Sequence, residues 1–303
     1  AAPRQKAELA PNISGTMTHW VLENALRRQG EAFKDLTPEE LETLVNDLVD
    51  EYTAANLPGM TLRMEYLVGR IRRNLVGLLG FIQRDVRQSG FQPVAFELRI
   101  DDHPDSDDPD APRVDPVQLD DGRGHTVRIV GTVDRVDTME LGGKTYIRVV
   151  DYKTGSKKFD LREVYYGLDC QMLLYLFALE ARGPDYYGQP VDGAGVLYLP
   201  ARDAVVKGSR AMTDEAWRKQ LDRELTRSGL VLDDPAVLSA MEEPGETGYR
   251  FLPLKVSKST GAVSGEALAT AERLGRLGGH LQRTLEEICR ELAEGNIAAD
   301  PFW

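Results

Sequence analysis

The sequence predicts an α/β protein: a mixed sheet of about four or five strands flanked by helices, with a mainly helical N-terminal part. Three observations carry this reading. Up to about residue 90 the chain shows helix-start signals and long helical patterns. From Pro93 the period shortens to two. Beyond Pro200 the pattern becomes helical again, interrupted by an irregular stretch that runs to about Gly265.

Residues Gly15 to Gln29 read as a first helix with Ser14 as its N-cap. The run from Thr37 to Asn56 starts with a capping threonine, Pro38 at the first helical position and acids in the first turn. A longer helix is expected from Thr61 to Gln88. "PVAFELRI" then alternates, with Phe96, Leu98 and Ile100 on one face and Ala95, Glu97 and Arg99 on the other. "HTVRIVGTVDRVD" and "YIRVVDYK", joined by "LGGKT", read as an antiparallel hairpin. A helix follows from Asp160 to Ala181, with Leu168, Met172, Leu176 and Leu179 as its core stripe. "GAGVLYLP" is a further strand, and helices are expected near Asp214–Arg227 and Glu266–Glu294.

The 303 residues suffice for a well-buried core. An apolar fraction of 42% and a charged fraction of 28% are ordinary for a globular protein. No apolar run is long enough to predict a membrane span, and the first residues lack the apolar centre of a signal peptide. Two cysteines, Cys170 and Cys289, do not make a disulfide framework, so a cytoplasmic setting is expected. The net charge of −12 argues against a nucleic-acid partner only at first sight. The segment Asp101–Gly122 alone holds nine aspartates against one arginine, and it reads as a mobile surface loop. Basic groups lie elsewhere, at Arg70–Asn74 ("RIRRN"), Lys153–Lys158 and Arg84 with Arg87.

The candidate site starts from "VVDYKTG". Asp151 and Lys153 are two apart at a strand end, so both point to one face of the sheet. Asp134, in "GTVD", lies 17 residues earlier across the hairpin, and Glu97 is on the strand before. Carboxylates brought together repel unless a cation lies between them, and Mg²⁺ or Mn²⁺ suits an oxygen set. Such an ion acidifies water and neutralises charge in phosphodiester hydrolysis. Solvated acids at strand ends are the plainer alternative. Asp137 falls on the face opposite Asp134 and reads as structural, or as the partner of a basic group. Gln171 and Tyr175, four apart, share a helix face.

In order and separation, "GTVDRVD", "VVDYKTG" and "GLDCQMLLYLFAL" resemble the RecB-type nuclease module of the PD-(D/E)XK superfamily, and within it the AddB family of helicase–nuclease B subunits. "GTMTH", ending in His19, matches the family's early helix histidine. The resemblance spans roughly Ile13 to Phe302, treated as a single nuclease domain with a helical part (13–90), a catalytic sheet (91–200) and a C-terminal helical part (201–303). It implies His19, Asp134, Asp151 and the Tyr152 backbone carbonyl as metal ligands, and Lys153 as the catalytic lysine. Gln171 and Tyr175 would support the site and contact DNA, and Glu97 would be the sheet glutamate near the metal. It further implies a restriction-endonuclease-like core, action on single-stranded DNA in double-strand-break repair by recombination, and an AddA-like partner subunit. Many AddB proteins hold an iron–sulfur cluster through flanking cysteines. Cys170 and Cys289 match none of those positions, so the cluster is expected in a longer protein from which this chain is excised, not in the chain itself.

Rival readings are a stand-alone RecB-type exonuclease and a catalytically weak or inactive DNA-binding scaffold. The second conflicts with the intact set of His19, Asp134, Asp151 and Lys153. "LGGKTY" is no phosphate-binding loop, because Thr138 stands where the first glycine belongs and a strand follows. No G-x-S-x-G elbow supports serine chemistry.

Overall fold

A computed structural model describes residues 11–298 apart from 104–111, 121–122, 156, 202–212, 246–247 and 297. The N-terminal elements are α1 (Pro11–Gln29), a 3₁₀ turn (Gly30–Asp35), α2 (Pro38–Asn56) and α3 (Leu62–Gln88). Strands β1 (Gln92–Ile100), β2 (Arg113–Val114), β3 (Val117–Asp120), β4 (Thr126–Ile129), β5 (Gly131–Leu141) and β6 (Lys144–Lys153) follow. Then come α4 (Leu161–Tyr165), α5 (Gln171–Tyr186), β7 (Val191–Pro200), α6 (Asp214–Glu224), β8 (Ser228–Leu232) and α7 (Pro235–Met241). The chain closes with β9 (Lys255–Val256), β10 (Val263–Ser264), β11 (Leu268–Ala269) and α8 (Ala271–Ala293). Among the described residues no helix is long and apolar enough to cross a membrane.

The chain divides into two compact units. The first comprises residues 1–89, Tyr152–Ser156 and Leu199–Thr226. Its α2 begins with a complete capping box, in which the Thr37 hydroxyl accepts from the Glu40 amide and the Glu40 carboxylate accepts from the Thr37 amide. Two orphan donors are thereby satisfied, a contribution of about 1 kcal/mol. Leu41, Val45, Leu48 and Val49 recur at helical spacing and are buried, at roughly 1.5–3 kcal/mol for each apolar side chain. They share a core with Met17, Val21 and Leu22 of α1 and with Leu75, Leu78 and Leu79 of α3. Gln83 of α3 donates to the Phe33 and Leu36 carbonyls and so closes the 3₁₀ turn without a buried orphan. Ser14 lies inside α1 rather than capping it.

The second unit is built on a seven-stranded mixed sheet in the order β11-β8-β7-β6-β5-β1-β2. The sheet is wider than the expected four or five strands. β8 is an apolar run with no alternation, and β2 and β11 have two residues each, too short to leave a periodic signal. β3 and β4 form a separate hairpin. β5 and β6 turn through Gly142 and Gly143, both at positive φ, as the Gly-Gly signal predicts. Ala95 is buried beside Phe96 instead of facing away with Glu97, because the register shifts between Pro93 and Ala95.

Two further expectations are corrected. The helix over 160–181 is two helices, broken by Gly167 and Asp169 at positive φ. Leu168 falls in the break and is 46% exposed, so it is not part of the core stripe, whereas Met172, Leu176 and Leu179 are. The acidic segment 101–122 is not simply a loop either. Its described part includes β2, which pairs in parallel with β1 and buries Val114 at 2% exposure.

Candidate active site

In the second unit, β1, β5 and β6 lie side by side and each carries one acid of the sequence-derived set. Phe96 pairs with Arg135 and Leu98 with Val133, which sets Glu97 opposite Asp134. Arg135 pairs with Val150, and the same register carried one residue on sets Asp134 opposite Asp151. The register thus sets the three acids on three adjacent strands, but Asp151 offers no oxygen within 4.8 Å of both Glu97 and Asp134. Carboxylate oxygens of Glu97 and Asp134 approach within 4.8 Å. Glu97 holds φ at +47°, a left-handed conformation uncommon for a residue with a side chain. Such a residue costs on the order of 1–3 kcal/mol and persists where surrounding structure enforces it. Asp151 is buried on the central strand, while Glu97 and Asp134 are half-buried.

The first unit supplies a different pair. His19 projects from α1, and its Nε2 lies 2.8 Å from the Tyr152 backbone carbonyl oxygen. The two rings also meet edge to face at 5.9 Å between centroids. An imidazole nitrogen and a carbonyl oxygen at this separation suit neighbouring positions around one small cation. Octahedral bonds of about 2.1 Å place adjacent ligands about 3 Å apart. The nitrogen and carbonyl of the first unit, and the carboxylates of the second, are each donor types that suit Mg²⁺ or Mn²⁺ rather than a thiophilic ion. Lys153, half-buried, ends β6 two residues beyond Asp151, and its carbonyl accepts from the Ala201 amide.

Behind the carboxylates the second unit holds a buried ion triad. Asp137 Oδ2 accepts from Arg135 Nη2 at 3.0 Å and from Arg148 Nε at 2.7 Å, all three fully buried. Arg148 also sits over the Phe91 ring. Asp137 is therefore the partner of basic groups, as its opposite-face position indicates. Sequence reasoning missed Arg135 and Arg148. Their signal was one arginine in each strand of the hairpin, Arg135 by alternation on the same face as Asp137. Gln171 and Tyr175 open α5, where Gln171 Nε2 donates to the Tyr175 hydroxyl at 2.8 Å. That hydroxyl stands over the backbone of Gly131, three residues before Asp134. Next to this pair, burial and Asp169 push the Cys170 thiol up to about 11, so it is no thiolate at neutral pH.

Strands carrying the acids, the lysine at the end of β6 and the glutamine–tyrosine helix α5 follow one another in the order that the sequence motifs predict. The chain belongs to the PD-(D/E)XK nuclease superfamily, whose family model matches residues 1–303. Members of that superfamily use divalent metal ions. The chain is also similar to proteins named as the B subunit of an ATP-dependent helicase/deoxyribonuclease. It is 29% identical over 308 residues to that of Acetivibrio thermocellus, covering 100% of this chain and 26% of the relative. It is 31% identical to that of Clostridium botulinum over 296 residues, 95% of this chain and 25% of the relative. It is 31% identical to that of Clostridium perfringens over 301 residues, 96% and 25%. The chain thus spans about a quarter of the length of these relatives.

Proposed function

We propose that the chain is the nuclease domain of a helicase–nuclease B subunit, and that it hydrolyses phosphodiester bonds of single-stranded DNA exonucleolytically. The single observation that supports this most is the register that sets Glu97, Asp134 and Asp151 on adjacent strands, with Lys153 two residues beyond. His19, the Tyr152 carbonyl, Asp134 and Asp151 would hold Mg²⁺ or Mn²⁺, with Glu97 beside them. When bound, the ion supplies a Lewis acid that neutralises charge and lowers the pKa of water. The protein groups do the rest. Lys153 places a positive charge where negative charge grows on the phosphate oxygens. Asp151 and Asp134 orient the attacking face. Gln171 fixes the Tyr175 hydroxyl, and the exposed Gln171 would meet the entering strand while Tyr175 supports the site. The names of the relatives support a helicase subunit as partner, and the proposal takes that partner as AddA-like, the role as recombinational repair of double-strand breaks and the setting as cytoplasmic. We read both compact units as one nuclease domain.

The test uses an end-labelled oligonucleotide with Mg²⁺, with Mn²⁺ and with EDTA. Stepwise shortening that needs the metal and is lost in Asp151→Asn is the expected result. Metal-independent cutting, or full activity in that variant, refutes the proposal. Metal binding without any cutting is the outcome for a scaffold domain.

A further inference from the structure

Next to the glutamine–tyrosine helix the second unit exposes a cluster of rings. Of the ten large apolar side chains that stand well out of the surface among the described residues, three fall within four positions: Tyr165 at 66% exposure, Tyr166 at 56% and Leu168 at 46%. Scattered exposed apolar groups need no explanation, but a contiguous group of them marks a contact surface. Tyr165 is not a loose side chain. Its ring stacks on that of His280 of α8, with 5.3 Å between centroids and 10° between planes. His280 Nε2 also lies 2.9 Å from the Tyr165 carbonyl oxygen. A carbonyl only accepts, so Nε2 carries the hydrogen and the imidazole is pinned to the tyrosine it supports. Tyr166 meets Tyr165 edge to face at 5.3 Å. Two exposed rings are thus held in fixed planes where α4 ends against α8, all within the second unit.

The cluster is joined to the start of α5. The Cys170 thiol reaches the Val164 carbonyl at 3.8 Å and the Leu168 carbonyl at 3.3 Å, so the chain doubles back between α4 and α5. Tyr165 follows Val164, and the exposed Gln171 follows Cys170. The rings therefore lie beside the end of α5 that the proposed function gives to the entering strand. Arg283, one turn beyond His280 on α8, adds a cation to the same side. It is exposed and makes no hydrogen bond or ion pair among the described residues. The acids that follow it on α8, Glu286 and Glu287, are bonded to Gln282 and Arg290.

We infer that the Tyr165–His280 stack is a base platform for single-stranded DNA, with Arg283 at the adjoining phosphate, a reading that rests on the proposed nuclease function and adds a substrate-positioning surface to it. Every base has a π-face, so a fixed ring holds a strand whatever its sequence. A ring already held in place loses little freedom when a base settles on it. A duplex does not suit the platform, because its bases are stacked on one another and closed to a protein ring. A protein partner does not suit it either. Two rings of roughly 150–250 Å² each fall short of the roughly 800 Å² that a stable interface takes from each side.

The experiment is equilibrium binding of an oligothymidylate that carries one 2-aminopurine, in EDTA so that nothing is cleaved. The analogue loses fluorescence when its base stacks, and moving it along the oligonucleotide finds the nucleotide on the platform. Tyr165→Ala is expected to restore that fluorescence and to weaken binding about tenfold, with the salt dependence unchanged. Tyr165→Leu, which keeps apolar bulk without a ring, is expected to do the same, and Tyr165→Phe to match the parent. Arg283→Gln is expected to keep the quench while flattening the log–log salt slope by about 0.7, the share of one phosphate on a single strand. Trp217→Ala, at an exposed ring of the first unit, is expected to change nothing. Thermal melts check that the variants fold as the parent does. Parental affinity and quench in Tyr165→Ala and Tyr165→Leu overturn the inference, as does an equal loss in Trp217→Ala or tighter binding of a duplex. A chain that stacks a base through Tyr165 yet never cleaves contradicts only the nuclease reading. One that cleaves like the parent while the Tyr165 variants stack and bind normally contradicts only the platform.

Discussion

The Tyr175 hydroxyl occupies the space that a side chain on Gly131 would need. A Cβ built on Gly131 would also come within 2.8 Å of two ring carbons of Tyr175. The glycine of "GTVD" is therefore demanded by the second residue of the glutamine–tyrosine pair, and α5 is keyed to the strand that bears Asp134. Gly131→Ala should destabilise by roughly 1–3 kcal/mol, the usual cost of overpacking. Tyr175→Ala opens the space, so adding it to Gly131→Ala should cost less than the two changes summed. A double-mutant cycle by urea unfolding measures this coupling. Strict additivity would show that the contact carries no energy.

A second prediction concerns Asp137. Its carboxylate lies between Arg135 and Arg148, with no exposure at any of the three. Removing one partner of a buried pair leaves uncompensated charge and costs roughly 3–5 kcal/mol. Asp137→Asn should lose that much stability. Because Asp137 and Arg148 are directly paired across β5 and β6, the variant should also lose metal affinity through loosened register. Denaturation and calorimetric titration test both parts. A stability within 1 kcal/mol of the parent, on the scale of an exposed pair, would contradict the role.

Much of this arrangement was legible in the sequence. The order G-x-x-D, D-Y-K, Q-x-x-x-Y is local in the chain, and strand alternation with one hairpin suffices to set Asp134 opposite Asp151. The capping box at Thr37 was equally plain, since its signal is local. What escaped is non-local. β2 hides in an aspartate-rich segment whose composition says loop, and it is held by pairing with β1. The break before α5 depends on Asp169 adopting positive φ, which a strong helical pattern masks. The clamp on Asp137 shows only when two strands are laid together.

A third prediction follows from the conformation of Glu97. Positive φ at a glutamate is strained, and glycine adopts it at no steric cost. Glu97→Gly should therefore keep or raise the melting temperature while lowering Mn²⁺ affinity. Glu97→Gln, which keeps the strain and removes the charge, should lower affinity with little thermal change. Loss of stability in the glycine variant, with metal binding intact, would mean that the carboxylate serves the fold.

The fourth concerns Lys153. Its ammonium is assigned to the phosphate oxygens and not to the metal. Lys153→Ala should cut the cleavage rate by about 10²–10³, equivalent to about 3–4 kcal/mol of transition-state stabilisation. Metal-induced thermal stabilisation should be retained. A variant that cleaves within tenfold of the parent would remove the lysine from the chemistry.

The last prediction separates ligands from structural acids. Without a cation, Glu97 and Asp134 place like charges within 4.8 Å, which disfavours the folded state. In EDTA, Asp134→Asn should melt at or above the temperature of the parent. On adding Mn²⁺ the order should reverse. A ligand that binds only the folded state adds RT ln(1 + [L]/Kd), about 2.7 kcal/mol at a hundredfold excess over Kd. The parent should gain this and Asp134→Asn should lose most of it, as should Asp151→Asn. His19→Ala should lose less, because imidazole is the one softer ligand of the set, and its Mn²⁺ preference over Mg²⁺ should fall. Thermal melts of the four proteins in EDTA, Mg²⁺ and Mn²⁺ give the comparison directly. If Asp134→Asn gains as much from Mn²⁺ as the parent, Asp134 is not a ligand and the set of carboxylates is structural.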